Sequence, residues 1–137
     1  MQTMMSDIFE ELKATKSSKK KIEILHKYDT PVFREFCAYV VNPNIQWMVP
    51  KGIPPYEKAD PINMEEALYE TVRRLYLFVK GGGNDNLTKI KREEIFINTL
   101  QTIHPKDAEL LIKVKDKEKI GITEKVINDA WPGFLTY

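Results

Sequence analysis

The chain has 137 residues, 42% of them hydrophobic and 30% charged, and 21 Lys+Arg against 20 Asp+Glu leave a formal charge of +1. That length suffices for one domain, residues 1–137, with a packed core and no covalent staples, and the composition excludes a disordered chain. No apolar run approaches the roughly 18–20 residues of a membrane span, no basic-then-apolar leader opens the sequence, and the single cysteine, Cys37, excludes an intramolecular disulfide and fits the reducing cytoplasm.

Charge is unevenly spread. From Lys13 to Lys27 six lysines accompany one acid, Glu23, whereas from Glu57 to Glu70 five acids accompany one lysine, Lys58. A polarised molecule of this kind can lay one basic face on nucleic acid. Its near-zero total nevertheless falls far short of the basic balance usual for nucleic-acid binders.

Ser6 to Thr15 reads as a first helix, with Ser6 as cap, Asp7 in the first turn and Ile8, Phe9 and Leu12 on one face. Ser18 is placed to cap a second, whose apolar residues are Ile22, Ile24, Leu25 and Tyr28. Lys19, Lys20 and Lys21 fill its first turn, where the positive end of the helix dipole disfavours cations. A bound phosphate would relieve that cost; so would lysines extended into water. Thr30-Pro31 opens a third helix with a cap hydroxyl and proline at the first helical position. Val32, Phe33, Phe36, Cys37, Val40 and Val41 form its apolar stripe, which Asn42-Pro43 ends. Cys37 is expected there as a small buried hydrophobe rather than a nucleophile. Prolines 43, 50, 54, 55 and 61 then make residues 45–61 an irregular excursion, with Trp47 and Tyr56 expected to pin it to the core.

Asn63, with Glu66 three residues on, resembles a capping box at the start of a fourth helix. That helix carries Met64, Ala67, Leu68, Thr71, Val72, Leu75 and Val79 at helical spacing and ends in the flexible turn Gly81-Gly82-Gly83-Asn84-Asp85. No Gly-Lys-Ser/Thr follows those glycines, so they do not read as a phosphate loop. Leu87 to Ile103 makes the fifth helix, with Leu87, Ile90, Phe96, Ile97, Leu100 and Ile103 inward. Pro105 starts the sixth, which buries Ala108, Leu111 and Ile112. His26 and His104 stand alone, without the partner spacing of a metal site or a catalytic base. No metal, cofactor or catalytic residue is therefore expected.

The seventh helix is the best marked. Thr123 caps it, Glu124 suits its positive end, Val126, Ile127, Ala130 and Trp131 recur at helical spacing, and Pro132-Gly133 closes it. Gly121 removes a side chain just before the cap, and Lys117, Lys119 and Lys125 surround the start. A glycine turn, free backbone amides and nearby lysines are the ingredients of a phosphate contact. They are equally those of a capped core helix with solvated lysines.

Lys119-Ile120-Gly121-Ile122-Thr123-Glu124-Lys125-Val126 with Ala130 resembles the helix–glycine–helix signature of the N-terminal DNA-binding domain of ATP-dependent DNA ligases. Asn128…Trp131-Pro132-Gly133 resembles the T-even-phage branch of that family. Ser17–Tyr39, followed by Ile45-Gln46-Trp47-Met48-Val49-Pro50-Lys51, is similar to the family's lysine-rich turn, its two following helices and its short aromatic segment. The likeness spans roughly Leu12 to Leu135. It implies that duplex phosphates are gripped by backbone amides and basic side chains, with Ser18, Lys19, Lys20, Lys21, Lys117, Lys119, Gly121, Thr123 and Lys125 at the contact. The ligases' Lys-x-Asp-Gly nucleophile has no counterpart; in the nearest string, Lys58-Ala59-Asp60-Pro61, proline replaces the glycine.

Together these readings predict an all-α bundle of about seven helices with a proline-rich excursion, resembling the ligase DNA-binding domain. The function they predict is non-catalytic, sequence-independent binding of double-stranded DNA through its phosphate backbone. A phage origin, a place in replication or repair in the host cytoplasm, and a phage or host replication protein as further partner accompany that reading, with no membrane contact. The alternative is a phage protein-interaction or virion-associated module that kept the fold without DNA binding, which the near-zero charge favours.

Overall fold

A computed structural model describes residues 3–62 and 67–137. Helices α1 (Met5–Ala14), α2 (Ser18–Lys27) and α3 (Pro31–Val41) follow one another through short turns. After the irregular stretch, α4 (Leu68–Thr71) runs directly into a 3-10 helix, Val72–Phe78; α5 (Lys89–Thr102), α6 (Pro105–Lys115) and α7 (Glu124–Ala130) follow. Among the described residues there is no strand, and Trp47 and Val79 form an isolated antiparallel bridge. Its bonds run from Met48 N–H to Phe78 O (2.7 Å) and from Lys80 N–H to Gln46 O (2.9 Å). The fold is all-α, and no helix among the described residues is long and apolar enough to cross a membrane.

The core is aromatic at its centre. Phe9 of α1 packs on Phe33 and Phe36 of α3, with ring centroids 6.0 and 5.6 Å apart, and Phe33 meets Trp131 edge-on at 6.1 Å. Phe78 meets Phe96 of α5 edge-on at 5.1 Å. Each such buried ring contributes about 1.5–3 kcal/mol through area alone. Cys37 lies in this core, and burial pushes its thiol well above the ordinary range, so it packs and does not react. Trp47 and Tyr56 are half-buried against the core and fasten the proline-rich excursion as expected. Lys115 fastens it further: its buried ammonium donates to Pro50 O (2.8 Å), Gly52 O (2.9 Å) and Asp116 Oδ1 (2.6 Å).

Several sequence expectations are corrected. Serine 6 does not cap α1. That helix begins at Met5, and Ser6 sits inside it, buried. The expected cap at Asn63 and its partner Glu66 lie outside the described residues. From Leu68 onward the expected long helix is one α-helical turn followed by seven residues of 3-10 helix. Side chains three apart share a face in that tighter winding, and the buried ones are Val72, Leu75 and Phe78. Outside donors take the carbonyls near its end: Met48 N–H bonds Phe78 O, and Arg92 Nε bonds Leu77 O at 3.0 Å.

Helix α5 buries Phe96 and Leu100 as expected, and Ile103 at its end, but departs from the expected face in its first turns. Thr88 caps it, Ile90 is 73% exposed, and Arg92, Phe96 and Leu100 form the buried face. Arg92 is tolerated there because its guanidinium also donates to Asn84 O at 2.8 Å, leaving the buried charge bonded on two sides. The glycine turn is tied down rather than loose, since Gly81 N–H donates to Asp85 Oδ1 at 2.8 Å.

Asp107 of α6 takes the role assigned to Ser6. Its Oδ1 accepts the Ser6 N–H at 3.0 Å, so a carboxylate from across the fold satisfies an orphan donor at the positive end of α1. Burial pushes the Asp107 carboxyl above the usual range, and the bond from Ser6 opposes that rise only in part. With the folded-state value raised, this group's contribution to stability is complete below the ordinary carboxylate range and is lost as pH rises through the raised value. Asp107→Asn keeps an acceptor and removes the charge, so it should flatten that pH dependence and hold stability near wild type at pH 7. Asp107→Ala strands the Ser6 N–H and should cost about 1–3 kcal/mol. Urea unfolding of both variants between pH 4 and pH 7 measures the difference.

Candidate nucleic-acid interface

Helices α2 and α7 pack side by side. Two bonds fix their relative direction. Near the starts of both, Lys21 Nζ donates to Gly121 O at 2.7 Å; near their ends, His26 Nε2 lies 2.6 Å from Ala130 O. Start meets start and end meets end, so the helices are parallel and their N-termini share one edge. His26 thereby serves a last-turn carbonyl of α7, and His104 caps α6 by accepting Lys106 N–H at Nδ1 (3.1 Å); both histidines are structural.

Gly121 sets the approach to α7. Its φ is +104°, which side chains disfavour, and a Cβ there would lie 2.9 Å from Lys13 N and 3.0 Å from Lys13 Cα. The last turn of α1 is therefore pressed against this glycine, and Lys13 and Lys16 join the edge. Thr123 is extended (φ −134°, ψ 165°), and its hydroxyl accepts the Val126 N–H at 3.3 Å, as expected of the cap. Trp131 follows Ala130 at 3% exposure. Arg34 stacks 4.9 Å from the Trp131 ring and 5.7 Å from that of Phe134. It also forks onto Asp29 with two 2.7 Å bonds, and that hydrogen bonding holds the Asp29 carboxyl below its ordinary range.

Lys117 occupies the turn that closes α6. Lys117 N–H bonds Val114 O and Glu118 N–H bonds Lys113 O, both at 3.0 Å, and Lys117 has φ +58°. Glycine is the usual occupant of that left-handed position. Here a lysine stands in it, exposed.

The chain segments that carry the expected site residues thus meet where Lys21 and Lys13 touch Gly121, with two changes to the expected set. Ser18 is the first helical residue of α2 and not its cap; extended Ser17 is the cap, its hydroxyl accepting the Lys20 N–H at a long 3.4 Å. Two adjacent serines satisfy the same sequence signal, and only the backbone decides between them. Lys21 is half-buried and committed to Gly121 O, whereas Lys19, Lys20, Lys117, Lys119 and Lys125 are exposed. Lys13, whose backbone abuts Gly121, and Lys16 belong to the same lysine run but not to the expected set. Residues 13–21 carry five lysines and no acid, and residues 117–125 carry three lysines and two glutamates. One of those glutamates, Glu124, is engaged by the C-terminal tyrosine; burial and then that bond push the Tyr137 phenol up to about 12.

Fold and edge together define a small all-α protein with one lysine-rich margin, built where α1 ends and α2 and α7 begin. The chain belongs to the Family of unknown function (DUF6433), whose model matches residues 8–120. The matched segment stops one residue short of Gly121, so α7 and its cap lie beyond it. No curated protein and no solved structure matches the chain.

Gly121→Ala tests the constraint at the edge. The new Cβ meets backbone atoms of Lys13, which cannot swing aside as a side chain would, and it meets them at an unfavourable φ. A loss on the order of 2–4 kcal/mol is expected. Gly133, with φ +78° and open space around its Cβ position, supplies the control. Gly133→Ala should cost clearly less in the same urea titration.

Proposed function

We propose that this protein binds double-stranded DNA without regard to sequence, through the lysine-rich edge shared by α1, α2 and α7. The bond from Lys21 Nζ to Gly121 O carries the reading, because it fastens two lysine-bearing segments 100 residues apart into one edge. Exposed ammonium groups are compact, strongly hydrated charges that suit phosphates and read no bases. At the start of α2 three lysines and no acid sit at the positive end of the dipole, a cost that a bound phosphate offsets. The resemblance to the ligase DNA-binding domain supports the same partner and, with it, a phage setting in replication or repair beside a phage or host replication protein.

The reading is non-enzymatic, because nothing in the chain matches the ligases' Lys-x-Asp-Gly nucleophile. Incubation with labelled ATP should leave the protein unlabelled; stable AMP on any lysine overturns this part. The net charge of +1 favours a second reading, a phage protein-interaction or virion-associated module.

Fluorescence anisotropy with two unrelated duplexes decides between them. Affinities should agree between sequences and fall steeply with salt, by about 0.9 in log–log slope per phosphate neutralised. Lys20→Glu and Lys119→Glu should each weaken binding severalfold without lowering the urea midpoint, since both side chains are exposed and an acid suits the first turn of α2. Absence of binding at low salt, or survival of both charge reversals, favours the interaction module.

A further inference from the structure

The basic edge continues beyond Gly121. Ile120, its chain neighbour, lines a cleft of about 140 Å³ between α1 and α6. Phe9, Leu110 and Ile120 give this cleft an apolar floor, and Lys13, Lys106 and Lys113 stand around it with Glu10 and Glu109. Helices α1 and α6 are parallel here, because Ser6 meets Asp107 at their starts while Lys13 and Lys113 share the cleft farther along. Lys106 and Lys113 are seven residues apart, about 10 Å along the helix axis. Lys13 belongs to both places: its backbone abuts Gly121, and its side chain lines the cleft.

An ordinary solvated helix face would pair these charges locally. Lys106 with Glu109, Glu109 with Lys113 and Glu10 with Lys13 all have the spacing for it. Among the described residues none of those pairs closes to 4.0 Å, and Glu109 instead approaches Lys58 at 3.9 Å. Three exposed ammonium groups therefore surround one hollow without a carboxylate partner, next to a margin that already gathers lysine.

Building on the duplex-binding reading, we propose that this cleft receives a phosphodiester of the same DNA, with Lys13, Lys106 and Lys113 as further phosphate-contacting residues. The bound strand then runs from the α2–α7 edge across the end of α1 onto α6. Glu10 and Glu109 oppose the phosphate and hold the affinity down, so their neutralisation strengthens binding, an effect that no loss of folding can mimic.

Three variants and wild type, measured on one duplex, test this, together with a titration of inorganic phosphate followed by backbone amide shifts. Glu10→Gln/Glu109→Gln should tighten duplex binding roughly three- to tenfold at about 0.1 M salt, where charges within about 10 Å are still felt. Lys106→Gln/Lys113→Gln should weaken it by a similar factor and make the salt slope shallower by roughly one to two. If both double variants behave as wild type while Lys20→Glu still weakens binding, the cleft proposal is wrong and the edge reading stands. If wild type does not bind duplex at low salt, both fail. If inorganic phosphate shifts the amides of Lys13, Lys113 and Ile120 while the double variants leave duplex affinity unchanged, the cleft takes a small phosphate, and its place on the DNA path is refuted.

Discussion

The missing side chain at Gly121 is the constraint on which the basic edge depends. A backbone with φ +104° lies so close to the last turn of α1 that a Cβ would fall within 3.0 Å of Lys13. This approach fixes where the chain enters α7 relative to α1. Lys21 then fixes it relative to α2 through a half-buried, charge-assisted bond, worth on the order of 1.5–3 kcal/mol. Pull the turn outward to fit a side chain, and the bond from Lys21 lengthens while the lysines of residues 117–125 part from those of residues 13–21. Geometry and electrostatics at the edge thus rest on one glycine.

Elsewhere, too, groups that local capping would leave unsatisfied are served by side chains distant in sequence. Asp107 serves α1, His26 serves α7, and Arg92 takes carbonyls from the 3-10 helix and the glycine turn. Lys115 repeats the device on the proline-rich stretch. Its three donors are all taken, and Asp116 also accepts the Gly52 N–H at 3.1 and 3.2 Å, so the excursion is bonded at both carbonyl and amide. A buried charge with every donor used adds little net stability compared with an apolar side chain. What it fixes is position: Pro50 and Gly52 are held at the end of α6, with the Lys115 ammonium 5.9 Å from the Phe96 ring.

Legibility of the fold in the sequence follows the same division. Thr30, Thr123, Pro31 and Pro105 were readable because each cap or first-turn proline depends on its own few neighbours. Ser6 was not, because the acceptor for its N–H is 101 residues away. The 3-10 winding after α4 escaped notice because apolar residues at spacings of three and four fit both helix types over so short a run. Ile90 is among the expected inward residues and Arg92 is not, because a buried guanidinium becomes acceptable only once carbonyls of Leu77 and Asn84 are brought to it. The lysine clusters were visible as clusters. Their meeting at one edge was implied only by the ligase resemblance, since it depends on the parallel packing of α2 with α7, which no local pattern encodes.

The exposed lysines of the edge do little for the fold itself. Lys21 is bonded to Gly121 O; among the described residues Lys19, Lys20, Lys117, Lys119 and Lys125 have neither a side-chain hydrogen bond nor an ion pair. Some of them stand where folding alone disfavours them. Lys19 and Lys20 occupy the first turn of α2, against the dipole. Lys117 holds a left-handed backbone conformation that costs a non-glycine residue roughly 1–2 kcal/mol. A net charge of +1 gives little long-range attraction, so an anion reaching this edge must be held by contact rather than by the field of the whole molecule. Cations placed at unfavourable backbone positions, without carboxylates to satisfy them, make that contact energy available at one margin of a nearly neutral protein.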